Sequence, residues 1–398
     1  VAKWLWASGP KGDFMKASGA APVARSRVVV RRRRLAVGTA LAAGLLASPT
    51  FYAHLEAAAC ASAGGSPQVI NCDSDPDGYQ GSINNTSGAT VNVSAGSVVT
   101  RPTGNVIDIG ITQQGVPDFL VGTKQFNFNS AANSNVTGEG TAVNITRSSG
   151  RSLSGTWNIN GNVQSTKGDA IVITTPAGTA VPIASPNTSI DMTVGSSGQV
   201  QGAHNGITYN ATTGISNVNI TNNGDIFGGN SPIELNAGIA NVGGTLNVTN
   251  NGRIGDSGHA GTGPAISMTG LAVNGVVTNN STGSIYSQGD GIKMVLGGKG
   301  TVTNSGSITS TGGAAVNLNT GGDATVTNNL GGTIKGQTDG IDIASLKKGT
   351  VTNSGSITAV TGTAVNINTT GNAEVTNNLG GTITGKAGGV NILTLGTG

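Results

Sequence analysis

The sequence predicts an all-β fold: a right-handed parallel β-helix, or solenoid, of about 11 coils with three short strands per coil. Three observations predict it. Residues 300–348 recur almost intact at 349–397, with roughly 31 of 49 positions identical. A fixed period of this size marks an architecture in which each unit buries its apolar face only against its neighbours. Each copy divides again into halves of about 24–25 residues, the length of one solenoid coil. Finally, the 398 residues include 66 Gly but only 3% aromatics, too few large side chains for a globular core. No 3.6-residue period appears after about residue 50, and Gly at this density would cost a helix about 1 kcal/mol per residue. The Gly/Ser/Asn-rich composition alone would permit disorder, but the regular apolar columns argue against it.

Residues 1–59 read as an N-terminal extension and signal peptide. Four arginines at 31–34 precede the apolar run 35–49, and small-residue cleavage sites follow at Ala57-Ala58-Ala59 and Ala61-Ser62-Ala63. The run is too short for a membrane span. The basic stretch before it is long, and Met15 offers an internal start. Arg31–Arg34 also admits the twin-arginine route, although no cofactor signature accompanies it. Removing the signal changes the sign of the charge. The whole chain is formally +3, but nine of its 21 Lys and Arg lie before Leu35, leaving 12 basic and 16 acidic residues, a net charge of about −4. The basic pI therefore says nothing about nucleic acid, and no basic surface studded with aromatics is visible.

Residues 60–81 read as an N-terminal cap. The two cysteines, Cys60 and Cys72, lie 12 apart just after the signal; in an exported chain they are expected to form one disulfide. It would staple the first turn and help cover the open sheet edge. Lipidation of Cys60 is the competing reading, because LEAAAC places the cysteine after three small residues; Glu56 makes that match poor.

Residues 82–398 form the solenoid. VTN tripeptides mark the coils at Thr249, Thr278, Thr303, Thr327, Thr352 and Thr376, and the same mark appears as ITN at Thr221. A second mark is a small residue, then apolar, any residue, apolar. It recurs from AVNI at Val143 through Ile171, Ile207, Ile233, Ile266, Ile292, Val316, Ile341 and Val365 to Val390, with Ile107 and Ile109 as an earlier member. Strand residues two apart share a face, so Val316 and Leu318 point inward and Asn317 outward. Val302, Val326, Val351 and Val375 form a second inward column, and Ile308, Ile334, Ile357 and Ile383 a third. Gly and Asn suit the corners, and stacked Asn304, Asn328, Asn353 and Asn377 are placed to bond to one another along the axis. At about 4.8 Å per coil the rod would be roughly 50 Å long. Coils before Thr221 are less regular, with insertions at 113–125 and 177–187 that should leave the tube as loops.

Motifs that suggest chemistry are weak. Gly255-Asp256-Ser257-Gly258 matches the surroundings of a serine nucleophile, but His204 and His259 are the only histidines after the signal, and a triad needs base, orienter and oxyanion hole together. GGTITGK at 380–386 lacks the Ser or Thr of a phosphate loop, since Ala387 stands there. Asp73, Asp75 and Asp77 alternate like calcium ligands, but the Gly and distant Glu of an EF-hand are missing. No Cys/His cluster suits zinc. We expect no catalytic, cofactor or metal site. Asp225, Glu234, Asp256, Asp290, Asp339 and Asp342 read as scattered along the rod, too far apart for the paired carboxylates of a β-helix polysaccharide lyase or hydrolase.

The ACA…NC start after a signal, with repeated VTNSGSI and VTNNLGGTI coils, resembles the passenger domain of bacterial autotransporters (type V secretion). The resemblance covers most of the chain after residue 59. It implies an adhesin-like rod exported to the cell surface, at the outer membrane or beyond it. It also implies an outer-membrane β-barrel translocator as partner. Barrel strands with aromatic girdles are not found in these 398 residues, and no aromatic follows Tyr286, so the translocator is expected in a further segment or a separate chain. The expected function is that of an adhesin or surface-structural rod, meeting glycans or proteins of host or neighbouring cells. The candidate ligand-facing row is Glu234, Ser267, Lys293, Asn317, Asp342, Asn366 and Asn391, with the two insertions as further contact regions. The alternatives are the polysaccharide enzyme and a passive spacer.

Overall fold

The computed structural model describes residues 60–64, 68–73, 79–83, 88–111, 123–147, 152–175, 187–238 and 240–395, all within one compact unit. The expected signal segment and most of both insertions lie outside them. Every regular element among the described residues is a β-strand. Among the described residues the strands fall into three sheets of 13, 11 and 12, and from Gln68–Cys72 onward successive strands along the chain pass from one sheet to another. The first sheet runs from Ala61–Gly64 to Ala373–Asn377, the second from Val98–Arg101 to Thr382–Gly385, and the third from Tyr79–Ile83 to Gly388–Thr394. From Gly88 to Thr394 this makes eleven three-strand coils joined by ten coil-to-coil steps.

Like stacks on like because the register hardly slips. In the first sheet one inward column runs Ile70, Val91, Phe128, Trp157, Met192, Ile220, Val248, Val277, Val302, Val326, Val351 and Val375. The second sheet stacks Ile308, Ile334, Ile357 and Ile383. The third stacks Val316, Ile341, Val365 and Val390 beside Leu318, Ile343, Ile367 and Ile392. Each regular coil thus contributes four aliphatic side chains to the interior, each worth roughly 1.5–3 kcal/mol when fully buried. At the last coil Val390 and Ile392 are each 45% exposed.

The earlier coils are also in register, apart from a shift between Gly214 and Ile215 where Thr213–Asn222 pairs with Ala240–Asn250. Residues 112–122, 148–151 and 176–186 all follow third-sheet strands. Aromatics are buried in the interior here, which composition alone did not foretell. Trp157 packs edge-on to Phe126 at 5.4 Å between ring centroids and against Phe128 at 5.7 Å. Gly155 makes room: a Cβ there would sit 1.8 Å from the Phe126 carbonyl oxygen and 3.3 Å from the indole nitrogen.

Seven asparagines form a second inward column in the first sheet: Asn222, Asn250, Asn279, Asn304, Asn328, Asn353 and Asn377. The first six are fully buried. Each of these six donates its Nδ2 to the next Oδ1 at 2.8 Å, so all six bonds point the same way along the axis. The amides also donate to backbone carbonyls of the following turn, as Asn328 does to Gly332 and Ser356. Buried polar groups are tolerated on this condition of full pairing. Glycine fills the adjacent corner for a steric reason. A Cβ on Gly332 would lie 2.4 Å from Asn328 Oδ1 and 2.8 Å from the Asn304 carbonyl oxygen.

At the N-terminal edge the geometry changes. Ala61–Gly64 runs antiparallel to Gln68–Cys72, and Cys60 is joined to Cys72 by a disulfide. The hairpin covers the first sheet's outer strand, where unpaired backbone groups would otherwise face solvent.

Candidate functional site

The third sheet sets the candidate row. Glu234, Ser267, Lys293, Asn317, Asp342, Asn366 and Asn391 pair in register across seven consecutive strands. Strand alternation turns them to the outer face, opposite the apolar columns. Six steps of about 4.8 Å make the row roughly 29 Å long. A parallel row lies beside it: Asn236, Thr269, Val295, Asn319, Ala344, Asn368 and Leu393.

The row is less free than its outward position suggests. All its members except Asn391 are half-buried, and several are bonded across coils. Asn391 donates to Asn366 Oδ1 at 2.8 Å, Asn366 to Asp342 at 2.9 Å, and Asn317 to Asp290 at 3.1 Å. Asn205 donates to Glu234 at 2.8 Å. Thr208, one strand before Glu234, is buried and bonded to Asp169. The face is a fixed lattice of amides and carboxylates rather than a solvated fringe.

The acids are also less scattered than their sequence positions imply. Burial pushes the Asp342 carboxyl up; the Asn366 hydrogen bond opposes this, and the charges of Asp339 and Asp290 add to the rise. The three therefore share one electrostatic neighbourhood, brought together by turns two coils apart. Among the described residues, no three His, Cys, Asp or Glu side chains are grouped to hold a metal.

A second feature lies on the second sheet. Arg253–Ile254 is its shortest strand, and the chain leaves it at Gly255 with φ +68°. Asp225 and Asp256 both bind Arg253. Its Nε and Nη2 donate to Asp225 at 2.7 and 2.6 Å, and its Nη1 donates to Asp256 at 3.2 Å. Asp256 also accepts the backbone N–H groups of Gly258 and His259 and lies 3.1 Å from His259 Nδ1. Burial pushes the Asp256 carboxyl up, but these donors outweigh it and hold it below the usual range. The His259 ring stacks on Phe227 at 4.6 Å, and the Arg253 guanidinium lies over the same ring at 5.4 Å. Beside them is a hollow of about 300 Å³, lined among others by Gln201, Phe227, Ser257, His259 and Gln288.

No family model, curated protein or solved structure matches this chain.

The motifs singled out earlier take the following places in the structure. In GDSG, Asp256 caps its own turn, and no hydrogen bond joins Ser257 to the His259 ring among the described contacts. In GGTITGK, Thr382–Gly385 is a second-sheet strand. Asp73 accepts a hydrogen bond from the Ser94 hydroxyl; Asp75 and Asp77 lie outside the described residues.

A buried polar corner escaped sequence reading altogether. Lys124, Arg147 and Thr175 are buried at the ends of first- or third-sheet strands, and Thr188, Tyr209 and Ser216 are buried within such strands. The Tyr209 hydroxyl lies 2.9 Å from Ser216 Oγ. The Arg147 guanidinium has no hydrogen-bond partner among the described residues. Burial lowers its pKa to about 10, against the favourable influence of Tyr209. Strand alternation continued from Val143 and Ile145 would turn Arg147 inward, a signal that the preference of Arg for the surface masks.

Proposed function

We propose that the mature chain is an exported rod of the autotransporter-passenger type, displayed on the cell surface or released, acting as an adhesin or surface-structural element. The observation that carries this reading is the outer face of the third sheet. Seven polar residues stand in register over roughly 29 Å, on backbone paired at every coil. Such a face is preorganised, so binding costs little side-chain entropy. Its affinity would come from many weak polar contacts along an extended glycan or protein segment. The signal-like N-terminus and the disulfide suit an oxidising destination, and an outer-membrane β-barrel is the partner this reading requires.

The test is binding of the purified chain to host or neighbouring cells and to immobilised glycans. Replacing Ser267, Lys293 and Asn317 together by Trp, Glu and Trp should abolish that binding while circular dichroism stays unchanged. A rod that binds nothing, and tolerates those changes, is a passive spacer.

One observation favours a second reading, a polysaccharide lyase or hydrolase: Asp342, with its raised pKa, shares its surroundings with Asp290 and Asp339. Perturbed carboxylates gather at active sites as well as in structural networks. Turnover of a polysaccharide that disappears in Asp342→Asn would replace the adhesin reading.

A further inference from the structure

We propose that the hollow beside His259 is a recognition subsite for one neutral sugar unit of a glycan. The proposal rests on the adhesin reading for its biological setting but not for its chemistry. The loop that builds it is specific to one coil. From the inward Ile of the second sheet to the first inward residue of the third takes 7 residues at Ile226–Ile233, 7 at Ile285–Ile292 and 8 at Ile308–Val316, but 12 at Ile254–Ile266. The insertion comes back over the sheet's outer face. Phe227 stands beside Gln201 in the ladder and follows the inward Ile226, so it points outward, yet it is only 2% exposed. His259 and Arg253 cover it.

The loop holds its ring in place. Asp256 ties the His259 backbone and Nδ1 at once, and Phe227 supports one face of the imidazole. The side chain remains 46% exposed. With Nδ1 directed to a carboxylate, Nε2 is the ring atom left for a ligand. The lining adds two amides, Gln201 and Gln288, and the Ser257 hydroxyl, with Ala203 and glycines as a low floor. The one guanidinium next to it is shared by two carboxylates, since Arg253 pairs with both Asp225 and Asp256, and the carboxylate left in excess disfavours an anion. A site whose polar groups are amides, a hydroxyl and an imidazole nitrogen, set beside the half-exposed His259 ring, selects for a ligand with many hydroxyls, an apolar C–H face and no negative charge. Its size lies at the small end of ligand pockets, which span roughly 300–1,000 Å³, as suits one sugar unit.

The experiment uses the full chain with isotope-labelled backbone amides, titrated with galactose, glucose, mannose and N-acetylglucosamine, and with N-acetylneuraminic acid as an anionic probe. At least one neutral sugar should shift the amides of Gln201, Ser257, His259 and Gln288 with millimolar affinity. Ala203→Trp, at an exposed position, should fill the hollow and weaken binding at least tenfold, and Gln288→Ala should weaken it several-fold, with the remaining spectrum unchanged. No shift with any neutral sugar, a stronger response to the anion, or binding indifferent to Ala203→Trp would each overturn the proposal. The two readings fail separately. Cell binding that survives Ala203→Trp, with no sugar response, leaves the adhesin without this subsite. A sugar response in a chain that binds no cell leaves the subsite without the adhesin.

Discussion

Replacing Asn328 tests whether the asparagine column holds the coils together. Asn328 is fully buried between Asn304 and Asn353. It accepts from Asn304 at 2.8 Å and donates to Asn353 at 2.8 Å, to the Gly332 carbonyl at 3.1 Å and to the Ser356 carbonyl at 3.2 Å. Alanine removes two ladder bonds, each worth about 1 kcal/mol net. The neighbours are not wholly orphaned. Asn304 still reaches the Gly306 and Thr333 carbonyls, and Asn353 Oδ1 still accepts the Gly355 N–H. Adding partial desolvation and a small void gives roughly 2–4 kcal/mol. Asn377, at the end of the ladder, is exposed and keeps one ladder contact, so its alanine variant should cost less than about 1 kcal/mol. Aspartate discriminates further. It matches the shape of Asn328 but has no donor, and it would set a carboxylate against Asn353 Oδ1 and two carbonyls. Asn328→Asp must therefore cost more than Asn328→Ala. Stacked repeats need not unfold as one unit, so the readout is native-state hydrogen exchange of strands Ala324–Asn328 and Gly349–Asn353 in urea. The reasoning is refuted if Asn328→Asp is the milder change, or if Asn328→Ala and Asn377→Ala agree within about 0.5 kcal/mol.

Other perturbations follow from the same geometry. Gly332→Ala should destabilise its coil by roughly 1–3 kcal/mol and weaken exchange protection at Asn328, because the new Cβ falls on Asn328 Oδ1. Arg147→Met should stabilise the early coils in urea denaturation; the lowering of its pKa to about 10 by burial corresponds to roughly 3 kcal/mol at most. Asp342→Asn should stabilise at pH 7 and be neutral near pH 3, as thermal melts at the two pH values would reveal. A carboxyl with a raised folded-state pKa carries no penalty while protonated, and the penalty grows as pH rises through its unfolded value of 3.8. Reducing the Cys60–Cys72 bond should loosen the N-terminal hairpin by about 3 kcal/mol. Limited proteolysis should then cut near residues 60–73 and leave coils after Val302 protected.

The repeat itself determined the three-sheet solenoid and the inward columns. Once Val302, Val326 and Val351 recur at one coil's spacing, a period-two strand leaves no choice of face, and in-register stacking is the only way to bury them together. The outward row at Lys293, Asn317 and Asp342 follows from the same alternation, and the stacking of Asn304 and Asn328 was legible from the VTN marks. Tertiary structure alone decided what depends on closure around the tube and on neighbouring coils. It gave the asparagine bonds their single direction, set Asp290 and Asp339 near Asp342, and buried Arg147 at a corner. It also stacked His259 on Phe227, 32 positions away in the chain. A sequence period fixes which residues share a face and a column. It carries no information on how far a loop folds back or how turns converge, because those are set by packing between residues that share no period.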